Sequence, residues 1–239
     1  MRRFALALGV TICAALAACD GLLPGSDRPA SALEFPAADR PVAETVSNQF
    51  STEVARDERG EAQAVMDLAN ISAGMTVADI GAGEGYYTAR LANRVGTTGR
   101  VLAQDIDRGA LERLGRRVER EQLQNISIKL GQADDPQLPA DSFDRIFLVH
   151  MYHEVTEPYA FLWRLWPALA QGGQIIVVDA DRPTHDRGTP PKLLFCEFEA
   201  VGFKLMEFVE RPDIEGYFAR FERSAARAAP GAIKPCANL

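Results

Sequence analysis

The stretch Val77-Ala78-Asp79-Ile80-Gly81-Ala82-Gly83-Glu84-Gly85, followed by Tyr86-Tyr87-Thr88-Ala89-Arg90-Leu91-Ala92, decides how the rest of this chain is read. An apolar run closing on an acid, three glycines at alternate positions and then helix-forming residues describe a strand, a tight turn and a helix start. Glycine admits positive φ and lets a ligand approach the backbone with no Cβ in the way. The helix start adds N–H groups that have no partner within the helix. Such a turn is a place to hold a ligand. Its spacing differs from the G-x-G-x-x-G of dinucleotide sites, because the third glycine comes one residue early.

Working outward, strands and helices alternate. Strand-like runs are Thr76 to Ile80, Arg100 to Asp105, Ile126 to Leu130, Phe143 to His150 and Gln174 to Ala180. Helical runs lie near Gly85 to Val95, Gly109 to Gln124 and Pro158 to Ala170, and Glu61 to Ala69 carries an apolar face ahead of the first strand. Alternation at this spacing implies a parallel sheet covered on both faces. After a helix over Pro190 to Val201, strands Phe203 to Phe208 and Gly216 to Phe221 are joined by the Arg211-Pro212-Asp213 turn. A link so short cannot be a helical crossover, so these two form an antiparallel hairpin at the sheet edge. The expected fold is α/β, a Rossmann-like doubly wound sheet of seven strands, mostly parallel with a C-terminal antiparallel hairpin.

The glycine turn, with Asp79 ahead of it, resembles the first motif of class I S-adenosylmethionine (SAM) dependent methyltransferases. The topology resembles theirs too. The likeness spans roughly residues 42–222 and is strongest to small-molecule methyltransferases of the ubiquinone and menaquinone biosynthesis type. It implies SAM as cofactor and a small-molecule methyl acceptor. Asp79 would orient the loop or the methionine amine, while Gly81, Ala82, Gly83 and Gly85 would admit the backbone. Tyr86 and Tyr87 either wall the methionine end or pack beneath the helix. Asp105 ends the second strand, where an acid takes ribose hydroxyls, and Ile106 follows it at the cofactor. Gln132 and Ala133 fall where the family reads the adenine edge, with Asp134 as the alternative acid.

All three histidines of the chain fall at expected carboxyl ends of adjacent strands: His150 and His153 after the fourth, His185 after the fifth. Ligands of open α/β sheets bind there. His153, with Glu154 or with Asp181 across the cleft, is the expected general base, and His150 is expected on the cofactor floor. Acceptor choice is expected to lie with residues 42–59, 150–158 and 181–191. No ligand spacing such as H-E-x-x-H is present, so no metal is expected.

Composition bounds the rest. At 239 residues, 47% hydrophobic, one sizeable core is expected. A net charge of −7 lacks the basic face that a nucleic-acid partner requires. Arg2-Arg3 and an apolar stretch from Phe4 to Ala18 have the form of a signal peptide over residues 1–18. Leu16-Ala17-Ala18-Cys19 resembles a bacterial lipobox, which implies a lipidated Cys19 and attachment to a membrane. Asp20 resembles an inner-membrane retention signal, implying a lipoprotein that faces the periplasm; an unused signal would leave the chain in the cytoplasm. Residues 19–41 are rich in Pro, Ala, Ser and Asp and read as a flexible tether, with the domain over 42–222 and a tail over 223–239. Cys196 and Cys236 either pair or stay reduced. SAM is made inside the cell, so export would make its supply a constraint. The alternative function is a lipid-anchored SAM- or nucleoside-binding or scaffolding domain without turnover.

Overall fold

A computed structural model describes residues 28–42 and 52–236. The signal peptide, Cys19 and residues 43–51 lie outside the described residues. Seven strands form one sheet: β1 Thr76–Ile80, β2 Arg100–Asp105, β3 Ile126–Leu130, β4 Phe143–Val149, β5 Leu169–Asp179, β6 Phe203–Arg211 and β7 Gly216–Arg223. Their order is β3-β2-β1-β4-β5-β7-β6. The first five run parallel, and β7 lies antiparallel between β5 and β6. The expected edge hairpin is therefore present, with β6 outermost. Strand order reverses between β1 and β4, and ligands of such sheets bind at the carboxyl ends beside that reversal.

The helices are α1 Glu53–Glu58, α2 Glu61–Leu68, α3 Tyr86–Val95, α4 Arg108–Arg120, α5 Pro158–Leu165 and α6 Pro191–Val201. Strand side chains alternate between the two layers that these helices build. Ala78, Ile80, Ile146, Leu148, Ile175 and Val177 pack with α5 and α6. Val77, Phe147, Ile176 and Val178 pack with α2 and α3. Central strands buried on both faces explain why these segments read as continuous apolar runs.

Local chemistry moves some boundaries. The helix expected to reach Ala170 stops at Leu165, because Pro167 lacks an N–H for the ladder. A 3-10 turn over Trp166–Ala168 follows, and β5 begins at Leu169, paired with Phe143. Ahead of β1, Gly60 at φ 63° separates α1 from α2.

The segment expected as a free tether is docked from Arg28 onward. Arg28 pairs with Glu157 at 2.6 Å, Ser31 donates to Asp134 at 2.6 Å, and Arg40 Nη2 donates to the Val155 carbonyl at 2.7 Å. Ala32 and Phe35 are buried, with the Phe35 ring edge-on to Trp163. A low density of apolar residues hid this, since two well-placed ones suffice when several polar groups also find partners. The C-terminal tail is likewise held: Cys196 and Cys236 are disulfide-bonded, and Ile233 is buried beside α5 and α6.

Asp79 sits beneath the glycine turn on the α3 side of the sheet, 3% exposed, and accepts from Thr88 Oγ1 at 2.6 Å. This bond ties β1 to the first turn of α3. Burial pushes the Asp79 carboxyl up to about 6, against the Thr88 bond that favours the charged form, and the nearby Asp105 adds to the rise.

Two outcomes follow from this packing. Phe35→Ala should lower the unfolding free energy in urea by about 3 kcal/mol, whereas a loss below about 0.5 kcal/mol would return residues 28–42 to a free tether. Because the native Asp79 carboxyl lies above its ordinary 3.8, the unfolded chain ionises first as pH rises. The stability tied to the neutral acid is complete below 3.8 and lost as pH passes about 6. Thermal midpoints of wild type and Asp79→Asn should therefore diverge in favour of the variant from about pH 4 to about pH 7, and a gap that does not change with pH would contradict the burial argument.

Candidate functional site

The carboxyl ends of β1, β2 and β4 open into a cavity of about 430 Å³. Its lining includes Gly81, Ala82, Gly83, Tyr86, Asp105, Ile106, Gln132, Ala133, His150 and Glu154, ten of the residues expected at the site. Four others do not line it: Asp79, Gly85, His153 and Asp181. Sequence reasoning passed over Gln104 and Phe161, while Thr52, Glu53 and Arg56 at the start of α1 come from the segment expected to govern acceptor choice.

The two later glycines of the turn do different work. Gly83 has φ 55°, and a Cβ there would meet nothing within 4 Å, so the backbone faces open cavity. Gly85 has φ 87° and caps α3; a Cβ there would stand 2.4 Å from Leu114 Cδ1. Gly85 thus lets α3 approach α4, which corrects its expected place against the ligand.

Asp105 links the turn to β2. One carboxylate oxygen accepts from the Gly83 N–H at 2.7 Å and the other from the Asp107 N–H at 2.9 Å. Each oxygen keeps lone-pair capacity for a further donor. Ile106 beside it is an exposed apolar side chain at the cavity.

Tyr86 and Tyr87 divide the two roles left open for them. The Tyr86 ring lines the cavity between the guanidinium groups of Arg56 and Arg90, each 3.8 Å from its centroid, and its hydroxyl donates to Asp57. Tyr87 packs on Phe147 beneath α3 and donates to Glu61 at 3.1 Å. Burial pushes the Glu61 carboxyl up, but hydrogen bonds from His150 and Arg56 outweigh it and leave the group at about 2. His150, at the end of β4, lines the cavity with Nε2 3.4 Å from Glu61. Helix α1 has no buried residue and is joined to the body by ion pairs, among them Glu53 with Arg117 at 2.5 Å and Asp57 with Arg90.

The segment after β3 supplies Gln132 and Ala133, both exposed and both at the cavity. Asp134, the alternative acid, is buried away from it and accepts from Ser31 and from Arg164 at 2.6 Å. Those bonds commit its carboxylate to the docked N-terminal segment. Burial acts to raise its pKa, yet the Ser31 and Arg164 bonds hold it below the usual carboxylate range.

His153 is wholly buried. Its Nδ1 lies 3.0 Å from Asp179 Oδ1, and Asp179 also accepts from Thr189 Oγ1 at 2.8 Å and the Ala180 N–H at 2.9 Å. Asp181, expected to face His153, is exposed beyond the end of β5, as is His185. Strand alternation explains the correction: Asp179 is the last strand residue and turns inward, whereas Asp181 has left the sheet. His153 Nε2 is buried with no hydrogen-bond partner among the described residues and lies 4.0 Å from Glu154 Oε1. Glu154 faces the cavity, and burial raises its pKa, an effect that His153 opposes and Asp105 reinforces. Among the described residues no group of three or more His, Cys, Asp or Glu is placed to hold a metal ion.

Residues 77–173 match the family described as "Methyltransferase domain". The ubiquinone/menaquinone biosynthesis C-methyltransferase of Citrobacter koseri is 32% identical over 124 residues, 49% of this chain and 47% of that protein. The chain spans about half the length of the curated relatives it matches. Among solved structures, a SAM-dependent methyltransferase from Aquifex aeolicus superposes with a TM-score of 0.64 at 23% identity, over 70% of this chain and 91% of that one. The cyclase SpnF gives 0.62 at 14% identity, over 82% and 91%. At such identities these two likenesses establish the fold. The matched residues 77–173 contain the glycine turn, Asp105, the Gln132 segment and Glu154, and over them the chain is similar to methyltransferase domains, with the fold of SAM-dependent methyltransferases.

Proposed function

We propose that the chain transfers a methyl group from SAM to a small-molecule acceptor. One observation carries this reading: a single cavity gathers the glycine turn, the Asp105 carboxylate, the segment after β3 and a partly buried acid after β4. These residues fit the cofactor. Gly83 leaves its Cβ position open, Asp105 has acceptor capacity for two vicinal hydroxyls, and Ile106 and Phe161 offer apolar surface to a base. When bound, SAM supplies an electrophilic methyl on a sulfonium centre.

The chain's own residues then position and deprotonate. Asp105 would hold the ribose, and its bond to the Gly83 N–H keeps the turn in the shape that receives the methionine end. Gln132 and Ala133 would lie at the base. On the acceptor side Glu154 is the cavity-lining group suited to take a proton, and its raised pKa makes it a stronger base than a free glutamate. Asp179 orients the His153 ring through Nδ1, which leaves Nε2 on the side of Glu154, 4.0 Å from Oε1. His153 is therefore a positioning residue behind Glu154, and holding two reactants in line supplies most of the rate.

We also infer export and anchoring to the inner membrane through Cys19, with the domain facing the periplasm. The Cys196–Cys236 bond supports this, since such bonds persist in oxidising compartments. The nine steps from Cys19 to Arg28 would keep Arg28, paired with Glu157, within about 30 Å of the lipid.

Asp105→Ala should weaken SAM binding by at least about tenfold in calorimetric titration, and unchanged affinity would remove the ribose assignment. Glu154→Gln should keep SAM affinity within about threefold while lowering transfer at least about 100-fold in an acceptor screen. Equal transfer would take Glu154 out of the chemistry, and SAM binding by wild type with no transfer to any acceptor would favour the binding-module reading. Incorporation of labelled palmitate that survives Cys19→Ser would contradict the anchor.

A further inference from the structure

Gln104 is a polar side chain inside an otherwise apolar strand. Val101 and Ala103 of β2 are buried, and alternation sets Gln104 on the opposite face, beside Ile80 of β1, its register partner. The residue is 2% exposed and lines the cavity. Oε1 is buried and has no hydrogen-bond partner among the described residues. A buried carbonyl without a donor is costly, so one at a cavity wall marks a place where a ligand brings the donor.

Gly131 locates the carboxamide. Its φ is outside the left-handed region, so the backbone there does not call for glycine. What occupies its Cβ position is Gln104: a Cβ would stand 1.7 Å from Nε2 and 2.6 Å from Cδ. The amide therefore lies against the residue that precedes Gln132 and Ala133. It shares the cavity with both, and with the apolar side chains of Ile106, Val155 and Phe161. Apolar walls with one amide at the edge suit a planar heterocycle that carries an exocyclic amine.

We propose that Gln104 reads the cofactor's base, with Oε1 accepting a hydrogen bond from the 6-amino group of adenine, and that Gly131 is glycine to leave the amide room. This rests on the SAM reading of the cavity and deepens it. It assigns base specificity to a strand residue in addition to the loop after β3, and it accounts for both an unmet buried acceptor and a glycine that the backbone does not need.

The test is calorimetric titration of the chain with S-adenosylhomocysteine and with its 6-deamino counterpart, in which hydrogen replaces the amine. Wild type should prefer the amino form by at least about tenfold. Gln104→Leu, a buried apolar replacement suited to the strand, should cut that preference to within about threefold with an unchanged or higher thermal midpoint. Gln104→Glu, which keeps an acceptor, should retain the preference. Gly131→Ala, which displaces the amide, should lose it. A wild type that binds both compounds equally, or a Gln104→Leu that keeps the full preference, would overturn the assignment and leave the cofactor reading standing. A wild type that binds neither compound would overturn both.

Discussion

The Gly83 N–H donates to the Asp105 carboxylate across 2.7 Å, and this bond joins the turn after β1 to the end of β2. Both partners line the cavity, so this contact fixes the spacing of the turn and the acid at its wall. The backbone supplies the donor because Gly83 is in a left-handed conformation with its Cβ position open. The acid is in place because the parallel register sets Ile80 beside Gln104, which leaves Asp105 just past the pairing. A turn, a strand end and a register are thus held by one charge-assisted bond.

Behind that contact lies a layer of buried ionisable groups that shape the cavity without entering it. Asp79 ties β1 to α3 through Thr88, Glu61 gathers Arg56, Tyr87 and His150, and Asp179 orients His153. Each acid differs in what surrounds it. Asp79 has only the neutral donors of Thr88 bonded to it and is raised to about 6, whereas Glu61 has the Arg56 guanidinium and His150 and falls to about 2. Desolvation favours the neutral acid and cationic donors favour the carboxylate, so the partner set decides which way a buried acid moves. Nearer the ligand, Glu154 combines partial burial with a neighbouring imidazole, a setting suited to moving a proton.

The parts of this site that follow from local periodicity were legible in the sequence. Apolar runs bounded by turn residues located the strands, and the short link at Arg211-Pro212-Asp213 indicated the antiparallel hairpin. Asp105 was legible because a strand end and an acid coincide. Parts that depend on which way a side chain turns were less so. Asp181 and Asp179 stand two residues apart, and the inward one is the partner of His153 because the strand ends between them. Gln104 was hidden inside a strand run, although a polar residue among Val101, Leu102 and Ala103, together with Gly131 after the next strand, was the available signal. Residues 28–42 show the same limit: their anchors, Arg28 on Glu157 and Ser31 on Asp134, are more than a hundred residues apart in sequence and leave no local pattern.

Every role given to the cavity-lining residues depends on this crevice holding SAM. Equilibrium dialysis of the wild-type chain against methyl-labelled SAM tests it most directly. One saturable site per chain, its label displaced by S-adenosylhomocysteine, is the expected result. Label retained at no more than the level of a protein without such a crevice would contradict it.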